Sequence, residues 1–208
     1  MTRQLVTVRT IKKLEPIENA DSLELAAVDG WKVVVRKGSF IEGMIAVYFE
    51  IDAFLPMSPH FEFLTKRSTH TLGDGRRGHR LKSIRLRGTL SQGLLMGVGQ
   101  FDNIHADQIL EADQYGTLDT LLGVVKYEQP ETSFLSGDTK GLFPDFVRKT
   151  HQERIQNCWS AIEKNDLWGA SEKLDGTSFT AFLNNGEFGV CSRNLELKES
   201  DSGAYWRI

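Results

Sequence analysis

The feature that most constrains this chain is a run of short valine-rich segments, recurring about every 10 residues through roughly the first 125 positions and separated by turn residues. The pattern predicts strands over 5–10, 23–29, 31–36, 44–50, 83–87 and 93–98, because β-branched and aromatic side chains suit a pleated surface. Asp29-Gly30 marks a tight turn between two of them, and Gly38, Gly43, Gly73, Gly75 and Gly78 punctuate the rest. Many short strands with glycine turns close into a small barrel or a sandwich.

The strand spacing, with one long basic loop from Pro59 to His79, fits a five-stranded OB-type barrel better than a regular sandwich. From about Asn103 to Leu122 the pattern turns helical, and 128–141 is polar, with Pro130, Gly137 and a Ser/Thr/Asp run that marks a linker. Beyond it, Thr150-His151-Gln152-Glu153 has the form of a capping box. Ile155, Cys158, Trp159 and Ile162 then make one apolar stripe, so a helix is expected over 151–164. Strands are expected over 168–174, 178–183 and 187–193, with Asn184-Asn185-Gly186 turning the last pair into a hairpin. The expected class is α+β and β-rich, with domains at 1–127 and 142–208.

No run approaches the roughly 18 apolar residues of a membrane span, and the start has no apolar signal core, so a cytoplasmic protein is the default. Cys158 and Cys191 lack metal-ligand spacing and read as small buried hydrophobes. His60, His70, His79, His105 and His151 show no pairing of that kind either. The net charge of −3 conceals a window from Lys66 to Arg87 that is +7 against −10 elsewhere. On a strand, Ser83, Arg85 and Arg87 share one face, with Ile84 and Leu86 turned to the core. Arg80, Lys82, Arg85 and Arg87 are thus candidates for RNA contact. The plainer alternative is a solvated loop with a charge-protected edge strand. Tyr48, Phe49, Phe61 and Phe63 read as core rather than stacking platforms.

The segment that carries chemistry is Glu172-Lys173-Leu174-Asp175-Gly176-Thr177-Ser178, followed by Cys191-Ser192-Arg193-Asn194. A lysine in a partly desolvated site near another cation loses its proton more easily and becomes an amine nucleophile. Asp175 is close enough in sequence to orient a metal-bound water, and Gly176 lets the backbone turn beside a phosphate. Arg193, across the hairpin, offers a bidentate phosphate ligand. Lys-x-Asp-Gly alone is also an ordinary way to end a strand in a solvated turn.

The stretch 172–179 resembles motif I of the covalent nucleotidyltransferases, the superfamily of DNA ligases, RNA ligases and capping enzymes, and Ser192-Arg193-Asn194 resembles motif Ia. Within it, the glutamate before the lysine and the Thr-Ser after the glycine look most like RNA ligases of the repair branch. Residues 19–24, 47–52 with Leu55-Pro56, and 87–93 are similar to an N-terminal OB domain found in one RNA ligase family, and 143–157 to its lead into motif I. The resemblance implies an OB barrel followed by the first part of a nucleotidyltransferase domain of the ATP-grasp-like ligase type. It implies ATP and Mg²⁺ or Mn²⁺ as cofactors, RNA ends as partners, and Lys173 as the residue that becomes lysyl-AMP. It further implies nucleotide contacts from Glu172, Gly176, Ser178, Arg193 and Arg154, and a water-mediated metal contact from Asp175. Ser178 departs from the asparagine common at that position in related ligases.

The family also uses carboxylates for the ribose and metal, an adenine-stacking ring and paired lysines downstream of motif Ia, and the resemblance places these beyond Ile208. The expectation is an incomplete catalytic domain, completed in the same or a second chain. Two other readings stay open: a non-catalytic OB nucleic-acid-binding protein, and a DNA ligase or capping-type fragment.

Overall fold

Alternating segments become strands where a neighbour covers at least one face, and the computed structural model describes this for residues 3–64, 68–128, 137–149, 154–158, 162, 167–173, 176–201 and 203–207. The chain divides into two units, Met1–Pro130 with Ile155–Trp159, and Glu131–Arg154 with Ser160–Ile208. In the first unit the elements are β1 (Val6–Thr10), β2 (Lys13–Pro16), β3 (Leu23–Val28), β4 (Trp31–Arg36), β5 (Ile45–Phe49), β6 (Ala53–Pro56), β7 (Thr69–Thr71), β8 (Arg77–Arg80), β9 (Ser83–Leu86), β10 (Thr89–Gln92), β11 (Leu94–Gly97), α1 (Ala106–Gln114), α2 (Leu118–Leu121) and β12 (Val125–Lys126). They pair in the orders β1-β5-β11, β2-β3-β4, β12-β6-β8-β7 and β9-β10, and these ladders form no closed barrel among the described residues.

β5 is the centre of the unit, because its two faces enter different cores. Val47 and Phe49 pack with Val6, Leu55, Phe61, Met96 and the helix residues Ile109 and Leu118. Ala46 and Tyr48 pack with Ala26, Trp31, Val33 and Leu95. The Tyr48 ring lies 5.8 Å from that of Trp31, and its hydroxyl donates to the Gln92 carbonyl at 2.9 Å. The outer edge of β1 is satisfied by helix carboxylates: Asp119 accepts from Val6 N–H at 2.7 Å and from Leu5 N–H at 3.0 Å, and Asp113 from Val8 N–H at 2.7 Å. The helix expected over 103–122 breaks into α1 and α2 at Gly116, whose φ of 69° ends the first segment.

The predicted loop from Pro59 to His79 contains β7 and β8, which no periodicity announced. Pairing makes them: His79 stands opposite Leu55 on one side and Thr69 on the other. Its ring is buried, with Nδ1 2.9 Å from the Ser68 hydroxyl. Phe63, read as core, is 59% exposed, whereas Tyr48, Phe49 and Phe61 are fully buried.

In the second unit β13 (Thr139–Leu142), β14 (Thr180–Asn184), β15 (Glu187–Cys191) and β16 (Leu195–Leu197) form one antiparallel sheet in the order β13-β16-β15-β14. β14 and β15 turn through Asn185 and Gly186, both at positive φ, as the Asn-Gly signal requires. β13 begins inside the stretch read as linker. Of the strand expected over 168–174, the described residues 168–173 carry no regular structure. Most of the helix expected over 151–164 lies outside the described residues, and Ile155–Cys158 is a 3₁₀ turn. No helix among the described residues is long and apolar enough to cross a membrane.

Gly93, at φ 106°, has Phe49 O and the Tyr48 ring where a Cβ would stand. Gly93→Ala is therefore expected to lower stability in urea unfolding by about 2–4 kcal/mol. At Gly43, where a Cβ meets open space, alanine should cost about 1 kcal/mol.

Burial holds the His79 pKa below its ordinary value. The unfolded chain then binds more protons, so stability present above about pH 6.5 is lost as pH falls from there through the folded value. Denaturation midpoints between about pH 7.5 and 5.5 should show this slope, up to about 1.4 kcal/mol per pH unit. His79→Gln should flatten it, leaving a residual slope of the same sign from His70, which is likewise lowered by burial and by Lys82 and Arg80.

Candidate nucleotide and RNA sites

Antiparallel pairing of β14 with β15 sets Thr180 opposite Cys191. The residues that lead into β14, 176–179, and those that leave β15, 192–194, consequently meet at one end of the hairpin. Ser192 N–H donates to Leu195 O at 2.9 Å, turning the chain into β16 and leaving Arg193 and Asn194 exposed at the bend. Lys173, Glu172, Gly176 and Ser178 are also exposed, and Arg154 is half-buried. Asp175 lies outside the described residues. The partial desolvation expected for the Lys173 amine is not supplied by the described residues around it.

Sequence reasoning missed the support of this segment from the chain's last turn. Thr177 Oγ1 lies 2.9 Å from the Tyr205 hydroxyl, and the Phe179 ring stacks on that of Tyr205 at 6.2 Å. A cleft of about 390 Å³ opens beside this turn, lined by Ser192, Leu195, Lys198, Ser200, Tyr205 and Trp206 among others. Ser192 is the one motif residue among its described lining. The described residues hold no cluster of three or more His, Cys, Asp or Glu side chains that would ligate a metal directly.

The basic window resolves into cations with different employment. Arg80 pairs with Asp52 at 3.3 Å and lies over the Tyr127 ring at 4.1 Å from its centroid. Arg85 donates to the Gly88 carbonyl at 3.0 Å, bracing the β9–β10 turn. Lys82 and Arg87 are exposed, with no hydrogen bond or ion pair among the described residues. Among the described residues β9 pairs with β10 alone, so its apolar side has no ladder partner behind it. Ile84 is 50% and Leu86 36% exposed, against the expectation that they enter the core. β10 is anchored instead by buried Ser91, whose hydroxyl accepts from Val34 N–H at 3.0 Å.

A family model described as an OB-fold domain matches residues 5–98. Among solved structures, a mutant of Naegleria gruberi RNA ligase with ATP and Mn is 38% identical, with a TM-score of 0.66, covering 98% of this chain and 60% of that one. Over nearly its whole length the chain is thus similar to an RNA ligase, and residues 5–98 to an OB-fold domain. The same ligase with PPi (38% identity, TM-score 0.67) is matched over 99% of this chain and 60% of its own. A mutant with AMP and Mn (38%, TM-score 0.69) is matched over 98% and 60%. The chain thus spans about 60% of the length of the RNA ligases it matches. No curated protein matches it significantly.

Cys191, at the β15 end of this hairpin, is buried, while Cys158 is half-buried rather than buried as expected. Burial, with Glu196 nearby, pushes the Cys191 thiol above its ordinary range. Iodoacetamide is expected to alkylate Cys158 first and Cys191 more than about tenfold more slowly until denaturant is added, as read by peptide mass spectrometry.

Proposed function

We propose that this chain is the RNA-binding and lysine-bearing part of an ATP-dependent RNA ligase that joins 3′-OH and 5′-phosphate RNA ends in RNA repair. The supporting observation is the hairpin end itself, where residues 176–179, which follow Lys173-Leu174-Asp175 in sequence, lead in and Ser192-Arg193-Asn194 leads out. The Naegleria ligase has been solved with ATP, with AMP and with PPi, and in forms where a lysine, or an aspartate two positions after it, is replaced. That interval equals the one between Lys173 and Asp175.

In this reading the Lys173 amine attacks the α-phosphorus of ATP, the bond to the β-phosphate breaks and pyrophosphate leaves. The RNA 5′-phosphate then takes AMP from the lysine, giving an adenylylated end, and a 3′-hydroxyl displaces AMP as the strand closes. Glu172 contributes to adenine selection and Ser178 faces the ribose. Gly176 lets the backbone approach a phosphate, which Arg193 and Arg154 bind. A divalent ion, Mg²⁺ or Mn²⁺, when bound, neutralises phosphate charge. Asp175 would reach such an ion through a bound water.

The fold that goes with this reading is a five-stranded OB barrel followed by the first part of a nucleotidyltransferase domain, in a cytoplasmic protein. The wall that would desolvate Lys173 comes from the remainder of the catalytic domain, in the same or a second chain. A second reading, a non-catalytic nucleic-acid-binding protein, draws on the exposure of Lys173 together with the exposed cations Lys82, Arg85 and Arg87.

Incubation with ATP labelled at the α-phosphate and a divalent metal separates the readings. A downstream-extended form should become covalently labelled, Lys173→Ala should fall to background, and the 208-residue chain should label weakly or not at all. Salt-sensitive RNA binding that survives Lys173→Ala, with no label in any form, would support the second reading. Sealing tests on RNA and DNA nicks, and labelling with GTP, exclude or reveal a DNA ligase or capping activity.

A further inference from the structure

The β12-β6-β8-β7 sheet turns Ala53 and Leu55 into the core and the alternate residues away from it. On that other side register places Phe54 beside Arg80 and His70 beside Gly78. Gly78 is required there because the Phe54 ring and Leu55 O occupy the space of a Cβ. Tyr127 follows β12 onto the same face, its ring centroid 6.1 Å from that of Phe54. Arg80 lies over the Tyr127 ring, and the His70 ring meets that ring edge-on with centroids 5.4 Å apart.

Two nitrogens of this cluster lack partners among the described residues, one of them the obligate donor Arg80 Nε. Arg80 Nη2 goes to Asp52, but Arg80 Nε and His70 Nε2 are shielded from water and find no partner among the described residues. A buried polar atom left unpaired costs about 1–3 kcal/mol, so an entering acceptor has a deficit to relieve. We propose that His70, Arg80 and Lys82 form an anion seat on this outer face, taking a phosphate group of RNA. The proposal rests on the RNA-binding reading for its ligand, and its geometry is independent of Lys173.

The charges have the required sign. Asp52 offsets Arg80, Lys82 remains, and the charged groups facing His70 are Arg80 and Lys82, with Tyr127 at its edge and the Lys126–Glu128 pair beyond. Burial and the two cations hold the His70 pKa below its ordinary value, so the seat carries an uncharged imidazole at neutral pH. An anion in the seat reverses that field. Linkage then makes the anion bind more tightly as His70 takes up its proton, by about tenfold for each unit that the pKa rises.

The test follows the His70 ring by NMR through a pH titration, free, with inorganic phosphate, and with a short 5′-phosphorylated RNA. Both probes should move the His70 midpoint upward, and RNA affinity should rise about tenfold from about pH 7.5 to 5.5. His70→Gln should abolish that rise, and Lys82→Ala should weaken RNA binding several-fold at low salt. Arg80 is left intact because its contacts with Asp52 and Tyr127 tie it to the sheet. A His70 midpoint indifferent to both probes, with variants that bind like the parent, overturns the seat. If RNA still binds salt-sensitively in that case, the RNA reading survives without it. A midpoint moved by inorganic phosphate but not by RNA upholds an anion seat and removes RNA as its occupant.

Discussion

A strand covered on both faces leaves little freedom to anything around it. β5 is such a strand: four consecutive residues, Ala46 to Phe49, are buried, and alternate side chains enter separate cores. A slip of one residue would exchange Phe49 for Tyr48, whose hydroxyl would then lose its acceptor at Gln92 and face the cluster around Phe61 and Ile109. The register of β1 and β11 on either side is fixed by the same requirement, and with it the path into Glu50. There Arg3 grips the buried carboxylate with Nη2 at 2.6 Å and Nε at 3.2 Å, closing the N-terminal segment onto the strand end.

The periphery is organised by the need to satisfy backbone polar groups that sheets leave at their edges. Asp113 and Asp119 serve the outer edge of β1, and Ser91 serves Val34 on β4. These contacts explain why α1, α2 and β10 sit where they do although their own periodicity is weak. They also separate structural from available charge. Arg80 gives Nη2 to Asp52 and packs on Tyr127 while its Nε stays unpaired among the described residues, whereas Lys82 and Arg87 face solvent.

Parts of this were legible in the residues. Strands such as β4, with its buried–exposed alternation, announce themselves because a half-buried sheet demands period two. Asn185-Gly186 announces a hairpin because few other pairs tolerate both positive φ angles. β6, β7 and β8 were illegible. They contain Pro56, His70, Gly78 and His79, and become strands only because each supplies the hydrogen-bond partners of the next. For the same reason a pattern that looked amphipathic in 83–87 did not bury its apolar side: alternation shows that two faces exist, and another element has to come and cover one.

The residues by themselves determined the family-bearing features: a β-rich N-terminal region, the Lys173-x-Asp-Gly segment and the Ser-Arg-Asn that follows it, because these rest on local composition and on motif chemistry. Only the tertiary structure decided which cations are engaged, that Tyr205 reaches back to Thr177 and Phe179, and that His70 joins Arg80 and Tyr127 on one sheet face. Those are contacts between residues far apart in sequence. Their existence depends on which strand pairs with which, and pairing is set by burial and hydrogen-bond satisfaction summed over the whole unit rather than by any one segment.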